Sequence, residues 1–311
     1  MLNLASNRPN WQGLYSIQVE GGFTAAHPLS GVQDVTTDIL VIIGAGGIGE
    51  AIARRQGFGK TLLLADISEK TLGATAKALR AASYKVETRL VDVTSRNSVR
   101  ALAEAAAALG HVTQLINTAG LSPNMAPVAQ VLKVDLYGAA VIFEEFEKVI
   151  APGGAGLIIS SMAGHMLPAL TPEQDHALAY TQADELLDLP FLKDDAIPNT
   201  LVAYMMAKRA NALRVQAAAM SWGAREARVN AISPGIIMTP LAAHELNSPV
   251  GEIYQAMIAA SPAKRMAPPE EIAVAAAFLL GPDAGFITGS DLLIDGGVIA
   301  AMRAGKLSIP G

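Results

Sequence analysis

The sequence predicts an α/β chain, a doubly wound parallel sheet with helices on both faces. Three observations carry this. Short apolar runs such as ILVIIG (39–44) and TLLLAD (61–66) recur, as expected of strands buried on both sides. Alanine-rich segments with helical spacing separate them, two opened by a serine placed as an N-cap. Strand and helix then alternate along most of the 311 residues, the pattern of right-handed crossovers between parallel strands.

In chain order, residues 1–38 are polar and irregular and read as an N-terminal extension, docked through Trp11 and Tyr15. Strand 39–44 leads into a helix over 47–57. Strand 61–66 is followed by Ser68, which caps a helix to about residue 82. VETRLVDV (86–93) is the third strand, with Ser95 capping a helix at 96–109. Strand 111–117, helix 127–150, strand 155–161, helix 201–222, strand 227–232, helix 269–280 and strand 290–294 complete the pattern, and residues 304–311 form a tail.

Composition narrows the function. Half the chain is apolar, enough for a sizeable core, and the net charge of −5 argues against a nucleic-acid partner, which calls for a basic face. There is no cysteine, hence no disulfide, thiolate nucleophile or cysteine metal site, and no metal is expected. The N-terminus lacks a basic start with an apolar core. The longest uncharged run, Val149 to Pro172, is broken by Pro152 and four glycines and carries Ser160 and Ser161. A soluble, cytoplasmic protein without a membrane partner is expected.

In such a sheet, ligands bind beyond the carboxyl ends of the strands. The first strand ends in GAGGIG, where Gly44, Gly46 and Gly49 match G-x-G-x-x-G between a strand and a helix; glycines there let a pyrophosphate approach the backbone N–H groups. The second ends in Asp66, 22 positions after Gly44. A carboxylate there accepts from both ribose hydroxyls and repels a 2′-phosphate, and Ile67 and Ser68 supply no arginine, so NAD(H) is expected over NADP(H). The simpler reading of Asp66 is a cap for the next helix. Asp92 ends the third strand, NTAG (117–120) the fourth, SSMAG (160–164) the fifth and NAISPGIIMTP (230–240) the sixth. In AYMMAKR (203–209), Tyr204 and Lys208 stand four apart on one helix face, and no other tyrosine has a lysine four residues later.

These motifs, with FITGSDLLIDGG (286–297), resemble the short-chain dehydrogenase/reductase family, over nearly all of residues 39–298. The resemblance implies a single Rossmann-type domain over 39–303 with a seven-stranded parallel sheet, a homo-dimer or homo-tetramer, and Tyr204 as general acid/base with Lys208 as its partner. A nearby ammonium favours phenolate and brings the tyrosine toward a working range. Ser161 is implied to hold the substrate oxygen. The implied cofactor set is Gly44, Gly46, Gly47, Ile48, Gly49, Asp66, Ile67, Asp92, Val93, Asn117, Ala119, Gly120, Tyr204, Lys208, Pro234, Gly235, Ile237 and Thr239. The four-residue Tyr–Lys spacing is that of the family's alcohol dehydrogenases and ketoreductases, not of its enoyl reductases.

Three features depart from the family pattern. The glycine turn is one residue short, with Ile43 where threonine is common. The family's catalytic asparagine falls at Asp135, which either holds the same water or pairs directly with Lys208; the plainer reading is support for a helix bend. Ser161 and Tyr204 lie 43 positions apart, and residues 165–200 carry seven acidic residues and one basic one, essentially all of the chain's negative charge. Leaving from Ser161 and returning to Tyr204, this insertion is expected as an acidic lid, as a solvated excursion, or as cover for an assembly surface near helices 127–150 and 201–222. His165, four residues after Ser161, is a minor substrate-contact candidate. Residues 239–262 are expected to wall the substrate pocket. The leading reading is an oxidoreductase acting on a small alcohol or ketone; a dinucleotide-binding protein without catalysis and an epimerase or dehydratase on the same fold are the alternatives.

Overall fold

The structure, a computed structural model, describes residues 37–193, 196–247 and 251–307. The expected N-terminal extension with Trp11 and Tyr15, Asp194 and Asp195 of the insertion, and the end of the tail lie outside the described residues.

Seven parallel strands form one sheet: β1 (Asp38–Ile43), β2 (Thr61–Asp66), β3 (Lys85–Leu90), β4 (His111–Asn117), β5 (Ile150–Ile159), β6 (Arg228–Pro234) and β7 (Asp291–Ile294). Their order is β3-β2-β1-β4-β5-β6-β7. The order reverses between β1 and β4, so their carboxyl ends open a crevice. The pairs Ile43↔Ala65 and Ile43↔Asn117 bring the residues after β1, β2 and β4 level there.

Alternation along each strand feeds two cores. Ile39, Val41 and Ile43 of β1 pack with Leu63 and Ala65 of β2 on one face, while Leu40 and Ile42 join Leu62 and Leu64 on the other. All nine are at most 1% exposed. The first face is covered by α3 (Arg96–Leu109), α5 (Ala139–Phe146) and α8 (Thr200–Gly223), the second by α1 (Gly47–Gln56), α2 (Glu69–Ala81) and α11 (Pro269–Leu280). Ser68 and Ser95 cap α2 and α3 as their sequences predict, accepting from Thr71 N–H and Ser98 N–H.

Two elements differ from expectation. The helix predicted over 127–150 is α4 (Val128–Leu132), a π-helical turn at Lys133–Gly138, and α5. It stops at Phe146, and β5 begins at Ile150, five residues before the predicted strand. The third strand ends at Leu90, leaving Asp92 in a turn in which its carboxylate accepts from Thr94 N–H and Thr94 Oγ1.

The insertion is built as a brace. It holds α6 (Pro172–Tyr180), closed by a capping box between Thr171 and Gln174, and α7 (Ala183–Leu186). Leu178, Ala183, Leu186 and Leu192 enter the core cluster under α5 and α8. Arg214 of α8 donates to the carbonyls of Leu178 and Thr181, Arg209 pairs with Asp175, and Arg96 of α3 pairs with Asp184. The segment is laid along α3, α5 and α8. Of the described residues in 165–200, Met166 and Thr200 line the cavity described below. Among the described residues, no helix is long and apolar enough to cross a membrane.

Candidate active site

The glycine turn is fixed by contacts that leave no room for side chains at two positions. Gly44 has φ +97°, its N–H donates to Ala65 C=O at 2.8 Å, and a Cβ there would stand 2.4 Å from Thr118 Oγ1. A Cβ on Gly49 would fall 2.0 Å from Gly44 C=O. Gly46, the N-cap of α1, faces open space and receives no side-chain cap. The N-terminus of α1 thus presents uncapped N–H groups and the positive end of a helix toward that opening.

Asp66 sits beside it. One carboxylate oxygen accepts from Ala45 N–H and the other from Ser68 N–H, both at 2.8 Å. Ser68 is the cap of α2, so Asp66 does not serve as the helix cap. Each carboxylate oxygen has a further lone pair for a ribose hydroxyl. These features fit a dinucleotide with its pyrophosphate at the turn and its adenosine ribose at Asp66. Ile67 is exposed next to Asp66, whereas the Val93 side chain is buried against Gly138.

Ser161, Tyr204 and Lys208 line one cavity of about 280 Å³, together with Pro234, Gly235 and Thr239. Ser161 ends the stretch after β5 in extended conformation, and its Oγ accepts from Ala163 N–H at 3.1 Å, leaving its own proton to donate. Lys208 Nζ lies 5.3 Å from the centre of the Tyr204 ring and 2.9 Å from Asp135 Oδ1. Asp135 belongs to the π-helical turn, its carboxylate also accepts from Leu121 N–H, and its main-chain carbonyl accepts from Asn211 Nδ2 at 3.0 Å. Of the arrangements expected for Asp135, the direct pair with Lys208 is present, and the residue sits in the π-helical turn. Burial works against the Lys208 ammonium, but Asp135 and Tyr204 outweigh it and hold the lysine above its ordinary value.

The remaining predicted residues set the walls. Asn117 Oδ1 accepts from Ala119 N–H, turning the chain back after β4. A Cβ on Gly120 would stand 2.5 Å from Asp135 Oδ1 and 3.2 Å from Lys208 Nζ. Thr239 Oγ1 accepts from Ala242 N–H and so starts α9 (Pro240–Leu246), while Ile237 bridges to Ala267. His165 lies outside the cavity lining and pairs with Asp291 at 2.8 Å.

A family described as "short chain dehydrogenase" matches residues 38–172, and one described as "Enoyl-(Acyl carrier protein) reductase" matches 190–299. A short-chain dehydrogenase/reductase of Alternaria brassicicola is 41% identical over 263 residues, 84% of this chain and 95% of that one. The chain belongs to the short-chain dehydrogenase/reductase family. It is an NAD(P)-dependent oxidoreductase of the CH–OH/C=O class. Two other similar proteins are the cis-4-hydroxycyclohexanecarboxylate dehydrogenase of Sinomonas cyclohexanicum, 31% identical over 84% of this chain and 96% of that one, and levodione reductase. The crystal structure of the latter superposes with a TM-score of 0.69 at 25% identity, over 86% of this chain and 99% of that one. Residues 173–189, between the two family matches, hold most of α6 and all of α7 of this short-chain dehydrogenase.

Residues 239–262 were expected to wall the pocket, but not the polar corner they make with the loop after β4. Ser122 Oγ and Asn124 Nδ2, after β4, donate to opposite oxygens of Glu245 on α9, and Tyr254 of α10 (Gly251–Ala260) lines the same wall. The available signal was a single acidic residue in the otherwise mainly apolar segment 240–246; nothing in the sequence linked it to residues more than a hundred positions earlier.

Proposed function

We propose that the enzyme interconverts a small secondary alcohol and its ketone, using NAD(H) in preference to NADP(H), with Tyr204 as the proton-transfer group. The observation that carries this reading is the meeting of Ser161, Tyr204 and Lys208 in one cavity with the loop Pro234–Thr239. When bound, the nicotinamide supplies or accepts the hydride. Ser161 donates to the substrate oxygen and holds it beside Tyr204. Tyr204 gives its phenolic proton to that oxygen in reduction and takes it back in oxidation. Lys208, kept charged by Asp135, stands beside Tyr204 and binds the nicotinamide ribose. Gly44, Gly46, Gly47, Ile48 and Gly49 hold the pyrophosphate. Asp66 and Ile67 hold the adenosine ribose, with Asp92, Val93, Asn117, Ala119 and Gly120 along the rest of the crevice and Ile237 and Thr239 at the carboxamide.

The preference for NAD(H) rests on Asp66, whose charge opposes a 2′-phosphate. The preference for a carbonyl over a C=C bond rests on the four-residue spacing of Tyr204 and Lys208 on α8. The names of two relatives, a hydroxycyclohexanecarboxylate dehydrogenase and a levodione reductase, support the same chemistry. A homo-oligomer is part of the proposal. It is supported by the exposed Phe278 of α11, Phe286, and Leu292 of β7, a sheet-edge strand, and light scattering reads it directly.

Fluorescence titration with NADH and, separately, NADPH tests the reading. NADH is expected to bind at least tenfold tighter, and Tyr204→Phe to bind NADH normally while losing about 10²- to 10⁴-fold in kcat. Failure to bind either nucleotide withdraws the hydride-transfer reading.

A further inference from the structure

Ser161 opens a four-residue turn, Met162–His165, and contacts on two sides fix where that turn lies. On one side it is pressed against α8. Ser160 Oγ donates to Lys208 C=O at 2.8 Å, and a Cβ on Gly164 would stand 2.7 Å from Arg209 N. On the other side His165 reaches the sheet edge. Its Nε2 lies 2.8 Å from Asp291 Oδ2, and since an ionised carboxylate only accepts, the ring nitrogen donates. Asp291 opens β7. The same carboxylate takes the Ser233 hydroxyl, 2.8 Å from Oδ1 and 2.9 Å from Oδ2. Ser233 is 1% exposed on β6 and stands immediately before Pro234, where the loop Pro234–Thr239 begins to line the substrate cavity. None of His165, Asp291 and Ser233 lines that cavity. A carboxylate suits this place because its two oxygens offer only acceptor sites and can join a ring N–H to a hydroxyl. Hydrogen bonds to an ionised acceptor are also shorter and stronger than neutral ones.

We propose that Asp291 is a positioning residue that couples the Ser161 turn to the loop Pro234–Thr239 through His165 and Ser233. In the oxidoreductase reading above, on which this rests, Ser161 holds the substrate oxygen and the loop holds the nicotinamide end of the cofactor. The spacing of turn and loop then sets the path of the hydride. One carboxylate on the sheet edge sets that spacing from behind the site and touches neither ligand.

Hydrogen–deuterium exchange of the full-length protein reads the coupling without a substrate. Turn and loop each carry amides bonded within the fold, Gly164 and Met166 in the first, Gly235 and Met238 in the second. His165→Ala is expected to speed exchange by about fivefold or more in both, the scale of one lost hydrogen bond, and Ser233→Ala to do the same from the other end. Exchange that rises only on the side of the substitution overturns the proposal. Cyclohexanone with NADH is the activity probe. Per NADH-binding site, His165→Ala is expected to lose about 10- to 100-fold in kcat, while the Kd for NADH stays within about threefold. His165→Gln, whose Nε2 offers the same donor, is expected to recover most of the loss. A loss that follows the number of NADH-binding sites, with kcat per site unchanged, makes the contact structural only and overturns the proposal. If cyclohexanone is not reduced, the exchange experiment decides alone. Loss of the oxidoreductase reading has its own signature, the absence of NADH binding in wild type.

Discussion

Lys208 Nζ lies 2.9 Å from Asp135 Oδ1, with both side chains shut off from solvent. This one contact decides how strongly the lysine acts on Tyr204. A carboxylate beside the ammonium keeps it charged and also cancels part of its field at the phenol. Asp135→Asn removes the negative charge and keeps the shape. Lys208 then stands beside a neutral amide instead of a carboxylate. The value of kcat for alcohol oxidation is expected to change by about tenfold or more. Wild-type kcat in Asp135→Asn would show that Asp135 acts only through the shape of the π-helical turn. Asp135→Ala is expected to be worse, costing about 3–5 kcal/mol in stability because it leaves a buried ammonium without its counter-charge.

Gly120 guards that pair. A Cβ there would stand 2.5 Å from Asp135 Oδ1, so Gly120→Ala has to push the carboxylate aside. The expected result is a loss of about 1–3 kcal/mol in denaturant unfolding, as for other overpacked sites, together with a fall in kcat larger than the change in NADH affinity. Wild-type activity in Gly120→Ala would mean that the Asp135–Lys208 contact is dispensable.

Much of this was legible in the sequence, because it is written in local patterns. Strands buried on both faces read as apolar runs, Ser68 and Ser95 read as caps, and strand ends point to the crevice. The π-helical turn at Lys133–Gly138 was not legible, since its residues still suit a helix; the carbonyl of Asp135 accepts from Asn211, a partner that spacing along the helix does not reveal. The packing of the insertion was not legible for a related reason. Its acidic residues gave no sign of their partners, but Asp175 and Asp184 are matched by Arg209 and Arg96, while Leu178 and Leu186 are fully buried. Charge counting along the chain does not show which cations a segment will meet.

The brace makes a prediction that a lid does not. Leu178→Ala empties a site in the core under α8 and takes packing from beneath the Arg214 hydrogen bonds. It is expected to cost about 2–5 kcal/mol in unfolding free energy. The ratio of kcat/KM values for a small and a large ketone is expected to stay within about twofold, since no atom of Leu178 lines the cavity. A shift in that ratio without loss of stability would restore the lid.

Acid lability should centre on Glu145. Its side chain is 1% exposed and meets Arg96, Arg100 and Lys148 at 2.8, 3.3 and 2.7 Å. Burial works against its charge, but the hydrogen bonds from Lys148, Arg96 and Arg100 outweigh burial and lower its pKa from 4.5 to about 2. With the folded value below the unfolded one, the stabilisation is complete above about pH 4.5 and is lost as pH falls toward 2. At pH 7 it amounts to roughly 3 kcal/mol. Glu145→Gln should therefore unfold at lower urea than wild type at pH 7, and more than half of that gap should close by pH 3. A gap that stays constant across this range would mean that the three cations are held by their other partners, Glu144 and Asp184 at Arg96 among them, and that Glu145 contributes through packing alone.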